Sequence, residues 1–524
     1  MSERTLTAFK AYDLRGRLGV DMDEDVAYRL GRAAAEQRDA KSVVIGWDAR
    51  ATSESLAGAV ARGVTDAGAD AWTIGLAGTE EMYAATAELG ACLGIEVTAS
   101  HNPIDYNGMK LVAAGARPLD PGSDFRELRS RAEAAAWREV DRAGEVRDKS
   151  GTTRRRYVEK VLSFVDVDRL KPLNILVNSG NGAAGPTLDA IAEELAARGA
   201  PLTFKRHHHD PDPSFPNGIP NPLLQENHAA TAEAVRAAGA DFGVAFDGDF
   251  DRCFLFDERG DFVPGEYLVG LLAETFLARA PGAAIVHDPR VIWSTEAAIA
   301  AGGGTAVCAK TGHAYLKAAM RECDALYGGE MSAHHYFRDF YYCDSGMIPW
   351  LMIAGRLSAS GQKLSEIIAH RRAAHPSSGE RNFTVENADR AIAAVIDTFE
   401  VGATLDETDG VSLEFSDWRF NLRKSNTEPL VRLNVEARGA VVDMSFVKAP
   451  RINLTCSLCA QEGACTQCAM RKCFATFHPL CARGAGFATE RHASQDGRHL
   501  WFCRTHSGER WGEKRREAAG MGGP

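Results

Sequence analysis

From Lys41 onward, short β-rich runs alternate with amphipathic helical stretches, and the alternation restarts twice, which confines most of the chain to successive α/β units. The first unit opens with a β-rich run at 42–48, a helix-like stretch at 54–68 and a second run at 71–76. The pattern restarts at 173–180 (LNILVNSG) with a helix-like 185–199, and again at 283–288 (AAIVHD) with 293–302. The three units are expected to be similar in topology though not in residues. A polar stretch at 374–387, containing His375-Pro376-Ser377-Ser378-Gly379, reads as a linker. One helix and strand-like runs at 411–419 and 430–437 come after it, which suggests a smaller α+β domain.

A chain of 524 residues is too long for one core, and roughly 100–200 residues per domain implies three to five units. Hydrophobic content of 45% and charged content of 25% point away from disorder, collagen and membrane proteins. There is no run near the roughly 20 apolar residues of a spanning helix, and residues 1–16 lack the apolar stretch of a signal peptide. The expected location is therefore cytoplasmic, with no membrane contact.

Charge and cysteine are unevenly spread. Residues 445–524 carry 12 Lys+Arg and 6 Asp+Glu, a net of +6, which leaves −17 for the first 444 residues. Seven of the 12 cysteines lie between Cys456 and Cys503, whereas Cys92, Cys253, Cys308, Cys323 and Cys343 are scattered singly. Paired cysteines with interspersed histidines, in a chain without a secretion signal, read as metal ligands before disulfides.

Four segments carry candidate chemistry. Thr98-Ala99-Ser100-His101-Asn102-Pro103 comes after the apolar run 92–97, so Ser100 is expected on a loop at a strand's end, where open α/β sheets place their chemistry. By itself it could be a polar turn ended by Pro103, but Tyr106-Asn107-Gly108-Met109-Lys110 comes next, where Asn-Gly is expected to make a tight turn that returns Lys110 toward the same loop. In Asp247-Gly248-Asp249-Phe250-Asp251-Arg252, three carboxylates at alternating positions can converge on one hard cation, and oxygen-only ligands favour magnesium. An EF-hand calcium loop would require Gly where Arg252 stands. Gly328-Gly329-Glu330-Met331-Ser332-Ala333-His334 and Lys310-Thr311-Gly312-His313 suit sugar hydroxyls, although a satisfied buried Glu or His reads the same way. Finally, Arg423-Lys424-Ser425-Asn426-Thr427-Glu428-Pro429 concentrates cations and hydroxyl or amide donors, as a phosphate clamp or a solvated basic turn would.

In this order, and preceded by Phe9-Lys10-Ala11-Tyr12-Asp13-Leu14-Arg15-Gly16, these motifs closely resemble the α-D-phosphohexomutase family over about residues 8–440. Within it, Asp212-Pro213-Ser214-Phe215-Pro216-Asn217-Gly218-Ile219-Pro220-Asn221-Pro222 and Gly329–Asp339 resemble the bacterial-type phosphomannomutase branch, which favours mannose over glucose as the sugar. The resemblance implies three similar α/β domains (1–145, 146–262, 263–375) and a smaller α+β domain (376–444) around a cleft. It implies a phosphoryl group on Ser100, and Mg²⁺ held by Asp247, Asp249, Asp251 and a phosphate oxygen on Ser100. Arg15, His101 and Lys110 would surround the transferring group, with Lys110 a candidate acid/base. Arg252, Arg290 and His313 would line the cleft. Glu330 and Ser332 would hold sugar hydroxyls, and Arg423, Ser425, Asn426 and Thr427 would grip the phosphate that is not reacting. Hexose phosphates are the implied substrates, with a hexose 1,6-bisphosphate as intermediate and activator.

Residues 445–524 form the fifth unit. Its spaced pairs are Cys456/Cys459, Cys468/Cys473, His478/Cys481 and Cys503/His506, enough for two tetrahedral zinc sites, with Cys465 left over. Phe477–Ala482 and Trp501–His506 resemble the zinc-binding half of extended PHD fingers. That resemblance implies a small cross-braced module in which Cys456 and Cys459 join His478 and Cys481, while Cys468 and Cys473 join Cys503 and His506. Related modules contact histones or nucleic acid, which would add the nucleus as a location. The basic end 510–516 is flanked by Glu509 and Glu517 and interrupted by Glu513, and reads as solvated. Past Arg438-Gly439 the chain departs from the mutase pattern, so the fourth domain is expected to lack its closing helix. Two other readings stand beside the first: a phosphoglucomutase, and a chromatin-associated binding protein with a vestigial mutase half. Intact Ser100, three aspartates and a clamp count against the second, since a scaffold needs none of them.

Overall fold

The structure, a computed structural model, describes residues 3–10, 12–424 and 430–439, and four short strands beyond them. The chain separates into two units, 1–437 and 438–524. In the second unit Thr466–Gln467 pairs antiparallel with Thr476–Phe477, and Thr489–Arg491 with His499–Trp501.

The first unit is built on four sheets. In the second sheet Leu173–Asn178 lies between Leu202–His207 and Phe242–Phe246, both parallel to it, and the antiparallel strands Cys253–Asp257 and Phe262–Val263 complete it. Numbered along the chain, its spatial order is 2-1-3-4-5. The third sheet repeats that order and those directions with Ala284–His287, Thr305–Cys308, Tyr327–Gly329, His335–Phe337 and Cys343–Asp344. The first has the same 2-1-3-4 core in Ser42–Trp47, Asp70–Leu76, Leu93–Val97 and Tyr106–Ala113, with Leu14–Arg17 and Val146–Asp148 on its edges. Shared topology without shared residues is the outcome the restarting pattern implied. Val146–Asp148 belongs to this first sheet, one strand beyond the 1–145 span.

Local sequence explains these elements. The central strands Leu93–Val97 and Phe242–Phe246 are buried at every position, as parallel strands covered by helices on both faces must be. Phe242, Phe246, Phe254 and Phe256 are among the largest fully buried side chains, each contributing roughly 1.5–3 kcal/mol by leaving water. The helix Glu24–Gln37 begins where Asp23 accepts the Val26 N–H.

Three local expectations are corrected. Asn107-Gly108 does not turn: Tyr106–Ala113 is one strand, paired on both sides. Gly108 is needed there for close approach, since a Cβ would lie 2.1 Å from the Leu14 carbonyl oxygen. The 374–387 stretch is not mainly linker, because Ser377–Thr384 is an edge strand of the fourth, all-antiparallel sheet. The single run expected at 411–419 is a hairpin of Val411–Glu414 and Trp418–Lys424.

The fourth sheet is two-faced. Phe420, Leu422 and Val431 join an apolar cluster with Ile392, Val395 and Ile396 of the helix Ala388–Phe399. Arg419, Asn421 and Arg423 alternate with them and pair in register with Glu436, Asn434 and Arg432. The buried Glu436 carboxylate accepts the N–H groups of Ile292 (2.7 Å) and Trp293 (2.9 Å) at the start of the helix Trp293–Ala301. Arg419 donates to Glu436 (2.7 Å) and to the Pro289 carbonyl (3.0 Å). The fourth domain thus caps a helix of the third that has no cap of its own.

Candidate active site

Each of the three repeated sheets turns from parallel to antiparallel after its third strand, and the loop at that point carries one of the sequence motifs. The first loop bears Ser100, the second the three aspartates, and the third Glu330 and Ser332. In the 2-1-3 order the first and third strands are parallel neighbours whose connections leave in opposite directions, which opens a crevice at their carboxyl ends where side chains and ligands can be held.

Ser100 is 2% exposed and adopts φ of +48°, a left-handed conformation that costs a non-glycine residue about 1 kcal/mol or more. Its N–H donates to Thr98 Oγ1 (2.8 Å) and its hydroxyl donates to Asp247 Oδ2 (2.7 Å). His101 Nδ1 lies 3.1 Å from the Ser100 hydroxyl oxygen. Burial, reinforced by Arg252 and Arg15, holds the His101 imidazole neutral. Gly248 makes the meeting of the two loops sterically feasible, since a Cβ there would lie 2.6 Å from the Ser100 carbonyl oxygen.

Asp247, Asp249 and Asp251 are all buried, with carboxylate oxygens within 4.8 Å of one another. One oxygen of each, Oδ1, has no hydrogen-bond partner. Three buried carboxylates drawn this close, each with one orphaned oxygen, are the arrangement a small divalent cation satisfies, so the donor set fits magnesium. The other oxygens are engaged. Lys110 donates to Asp249 Oδ2 (2.7 Å) and also to Asp251, and Thr79 donates to Asp249 Oδ2 (2.6 Å). Burial and the neighbouring Asp251 and Asp249 charges push Asp247 up to about 7. Burial also disfavours the Asp249 carboxylate, but Lys110 and Arg15 outweigh it and hold Asp249 well below the usual range. Burial pulls the Lys110 ammonium down; Asp249 and Asp251 more than reverse this, so Lys110 stays protonated. Arg252 Nε is 3.5 Å from Asp247, and Arg15 donates to Asp13 (2.9 Å) and to the Thr98 carbonyl (3.0 Å).

The third loop joins this centre through a β-bridge between Arg252 and His334, and the Cys253 N–H donates to the Ala333 carbonyl (3.1 Å). Glu330 accepts from Tyr336 (2.6 Å), while Arg290 reaches Ser332 Oγ (3.1 Å), Glu330 (3.4 Å) and Asp288 (2.9 Å). His313 begins the helix His313–Glu322, with its ring edge-on to Tyr12 at 4.7 Å and neither nitrogen bonded. Arg423 pairs with Glu380 (2.9 Å), and burial with the Arg290 charge lowers its guanidinium. Lys424 instead points away to Asp389. Ser425, Asn426 and Thr427 lie outside the described residues, as do all eight proposed zinc ligands, Cys456, Cys459, Cys468, Cys473, His478, Cys481, Cys503 and His506.

Several groups at the centre escaped sequence reasoning. Thr79 arrives from a distant helix start. His334 bonds Asp344 (3.0 Å) and stands 3.9 Å from Asp251, while Lys317 pairs with Asp344 (2.7 Å) over the Tyr83 ring. His334 lies inside the 328–334 motif, but no spacing signal connects it to Asp344 or Lys317.

Residues 6–137, 155–260, 264–374 and 380–449 match the phosphoglucomutase/phosphomannomutase models for alpha/beta/alpha domains I, II and III and for the C-terminal domain. Residues 429–507 match a PHD-like zinc-binding domain, overlapping the last mutase match. A phosphomannomutase of Salmonella montevideo is 56% identical over 437 residues, 83% of this chain and 96% of the relative. One from Escherichia coli K12 is 54% identical over 439 residues, 84% and 96% of the two chains. The crystal structure of a phosphoglucomutase/phosphomannomutase family protein from Burkholderia thailandensis superposes with a TM-score of 0.73 at 32% identity, covering 82% of this chain and 93% of that one.

Proposed function

The chain belongs to the phosphoglucomutase/phosphomannomutase family and is a phosphohexomutase; on that footing we propose that it interconverts mannose 6-phosphate and mannose 1-phosphate through a phosphorylated Ser100. The observation that carries the reading is Ser100 Oγ, 2.7 Å from Asp247 and beside three converging carboxylates. Preference for mannose rests on the high identity to phosphomannomutases.

In the first half-reaction a sugar hydroxyl oxygen bonds to phosphorus as the bond between phosphorus and Ser100 Oγ breaks, its electron pair remaining on Oγ and the proton passing net from the sugar hydroxyl to Oγ. In the second, Ser100 Oγ bonds to the phosphorus at the other end of the bisphosphate as that phosphorus–sugar oxygen bond breaks, and the proton passes net from Oγ to the departing sugar oxygen. Lys110, protonated and buried, donates to the departing oxygen and is reprotonated by the attacking hydroxyl. Arg15 and Arg252 offset the charge of the transferring group, which is most of what phosphoryl transfer requires of a protein. Asp247, Asp249 and Asp251 would hold Mg²⁺, which supplies charge neutralisation at the phosphate oxygens. Glu330 and Ser332 take the sugar hydroxyls, Arg290 and His313 line their approach, and Arg423 with Ser425, Asn426 and Thr427 grips the far phosphate. A hexose 1,6-bisphosphate turns over between half-reactions and also primes Ser100. Support for zinc in the C-terminal module comes from the PHD-like match at 429–507, and two ions would fill the four ligand pairs.

Incubation with a hexose 1,6-bisphosphate and subsequent peptide mapping should place one phosphate on Ser100, and Ser100→Ala should lose nearly all turnover of mannose 1-phosphate. Label on another residue, or full activity in the variant, would remove Ser100 from the mechanism.

A further inference from the structure

We propose that Arg50 is a positioning residue for the reactive serine, the first-domain counterpart of Arg290. Arg50 is 4% exposed, and its guanidinium donates to four carbonyl oxygens along the Ser100 loop and the first residue of the strand after it: Ser100 (2.9 Å), Asn102 (2.5 Å), Pro103 (2.8 Å) and Tyr106 (3.0 Å). With its carbonyl held by Arg50 and its N–H by Thr98 Oγ1, Ser100 is fixed on both sides in its left-handed conformation. The hydroxyl alone is left to face Asp247.

The repeat supports this assignment. Asp48-Ala49-Arg50 comes directly after the first strand of the first sheet, and Asp288-Pro289-Arg290 directly after the first strand of the third. In both, the arginine N–H donates to its own aspartate, at 3.0 Å and 3.2 Å, and the guanidinium reaches across to the loop after the third strand. Arg290 meets side chains there, Ser332 and Glu330, whereas Arg50 meets only backbone. In the second domain the same crossing is made by backbone, the Ala183 N–H donating to the Gly248 carbonyl (3.1 Å). A brace from the first strand to the third loop is therefore common to all three units. In the first it is a planar, permanently charged fork, which lysine cannot reproduce.

A second domain also bears on it. Phe215, itself at φ of +45° and 5% exposed, sets its ring against the Arg50 guanidinium, 5.9 Å from ring centre to carbon. Asp48 lies 3.6 Å from Arg50 Nε and is held by Ser53 (2.5 Å).

The inference rests on Ser100 as phosphoryl carrier, so the parent chain is labelled with a hexose 1,6-bisphosphate first. An unlabelled Ser100 there sinks the site reading, a result distinct from any outcome for Arg50. Arg50→Lys, Phe215→Leu and Arg154→Lys are then compared by rapid-quench transfer from phospho-Ser100 to hexose monophosphate, by KM and by melting temperature. Arg154 is a part-buried arginine between the first two domains, bonded to Glu81 (2.9 Å) rather than to the serine loop, and it controls for lost stability. Arg50→Lys should slow transfer 100-fold or more with KM within threefold, and Phe215→Leu should slow it three- to tenfold. Arg154→Lys should lose stability while keeping its transfer rate. Transfer by Arg50→Lys within threefold of the parent, or a loss that tracks melting temperature equally in Arg50→Lys and Arg154→Lys, overturns the proposal. If Arg50→Lys does not fold, Phe215→Leu decides: an unchanged rate overturns it.

Discussion

Asp249 shows how much one carboxylate can be asked to do. One of its oxygens takes Lys110 and Thr79, while the other has no hydrogen-bond partner, in a cluster with Asp247 and Asp251 whose ligand oxygens lie within 4.8 Å of one another. Asp249→Asn keeps the shape and removes one charge, so magnesium affinity and turnover should fall together, each by at least about tenfold. Titration of activity with Mg²⁺ reads both; EDTA-treated chain that turned over as fast as the magnesium-loaded form would refute the metal's part. His335 makes a contrasting use of burial. Its ring is enclosed beside the Tyr327 hydroxyl (2.7 Å), and burial, with His334 adding to it, pulls its pKa down to about 3. Between that value and the ordinary one near 6.5, the unfolded chain binds a proton that the folded chain refuses. Stability from His335 is therefore complete above about pH 6.5 and declines as pH falls, by about 1.4 kcal/mol per unit. Urea unfolding from about pH 7 to 5 should show a shallower decline in His335→Gln than in the parent.

At the scale of elements, the loops after the third strands are held by partners from other parts of the fold, and so are two helix starts. Glu80 of the first domain accepts the Gly346 (2.9 Å) and Met347 (3.2 Å) N–H groups ahead of Met347–Ser360, much as Glu436 does for Trp293–Ala301. Glu436→Ala would uncap that helix and leave buried Arg419 with the 3.9 Å contact to Glu414 as its remaining ion pair among the described residues. The expected loss is about 3–5 kcal/mol in urea unfolding, and less for Glu436→Gln, which can still accept from both amides. A loss below about 1 kcal/mol in the alanine variant would mean that this contact does not hold the third and fourth domains together. Strand and helix positions were legible in the sequence because their periodicity is local. The Asn-Gly pair misled because a glycine serves equally for a turn and for close packing, and only the Leu14 carbonyl against Gly108 tells them apart.

For the whole molecule, an acidic body of four sheets and a basic C-terminal unit divide at residues 437 and 438. Each structural zinc in so small a module would supply roughly 10 kcal/mol or more of its folding free energy, so chelation should unfold that unit and spare the mutase. Stripping zinc with a selective chelator, restoring Mg²⁺ and assaying mannose 1-phosphate turnover should give an unchanged rate. A collapse of activity would show that the module completes the fourth domain, whose family match and zinc match share residues 429–449.

By itself the sequence determined the three restarting α/β units, the place of Ser100 on a loop at a strand's end, and the spacing of the aspartates, since each depends on residues close together in the chain. Only tertiary structure decided what those residues meet. Ser100 and Asp247 are 147 positions apart yet share a hydrogen bond, and Thr79 and Lys110 reach the aspartate loop from separate elements. Arg50 is the clearest case. The Asp-x-Arg repeat is visible in the letters, but an arginine that bonds backbone carbonyls leaves no mark on the residues it holds, so its target appears only when the first strand and the third loop are folded side by side.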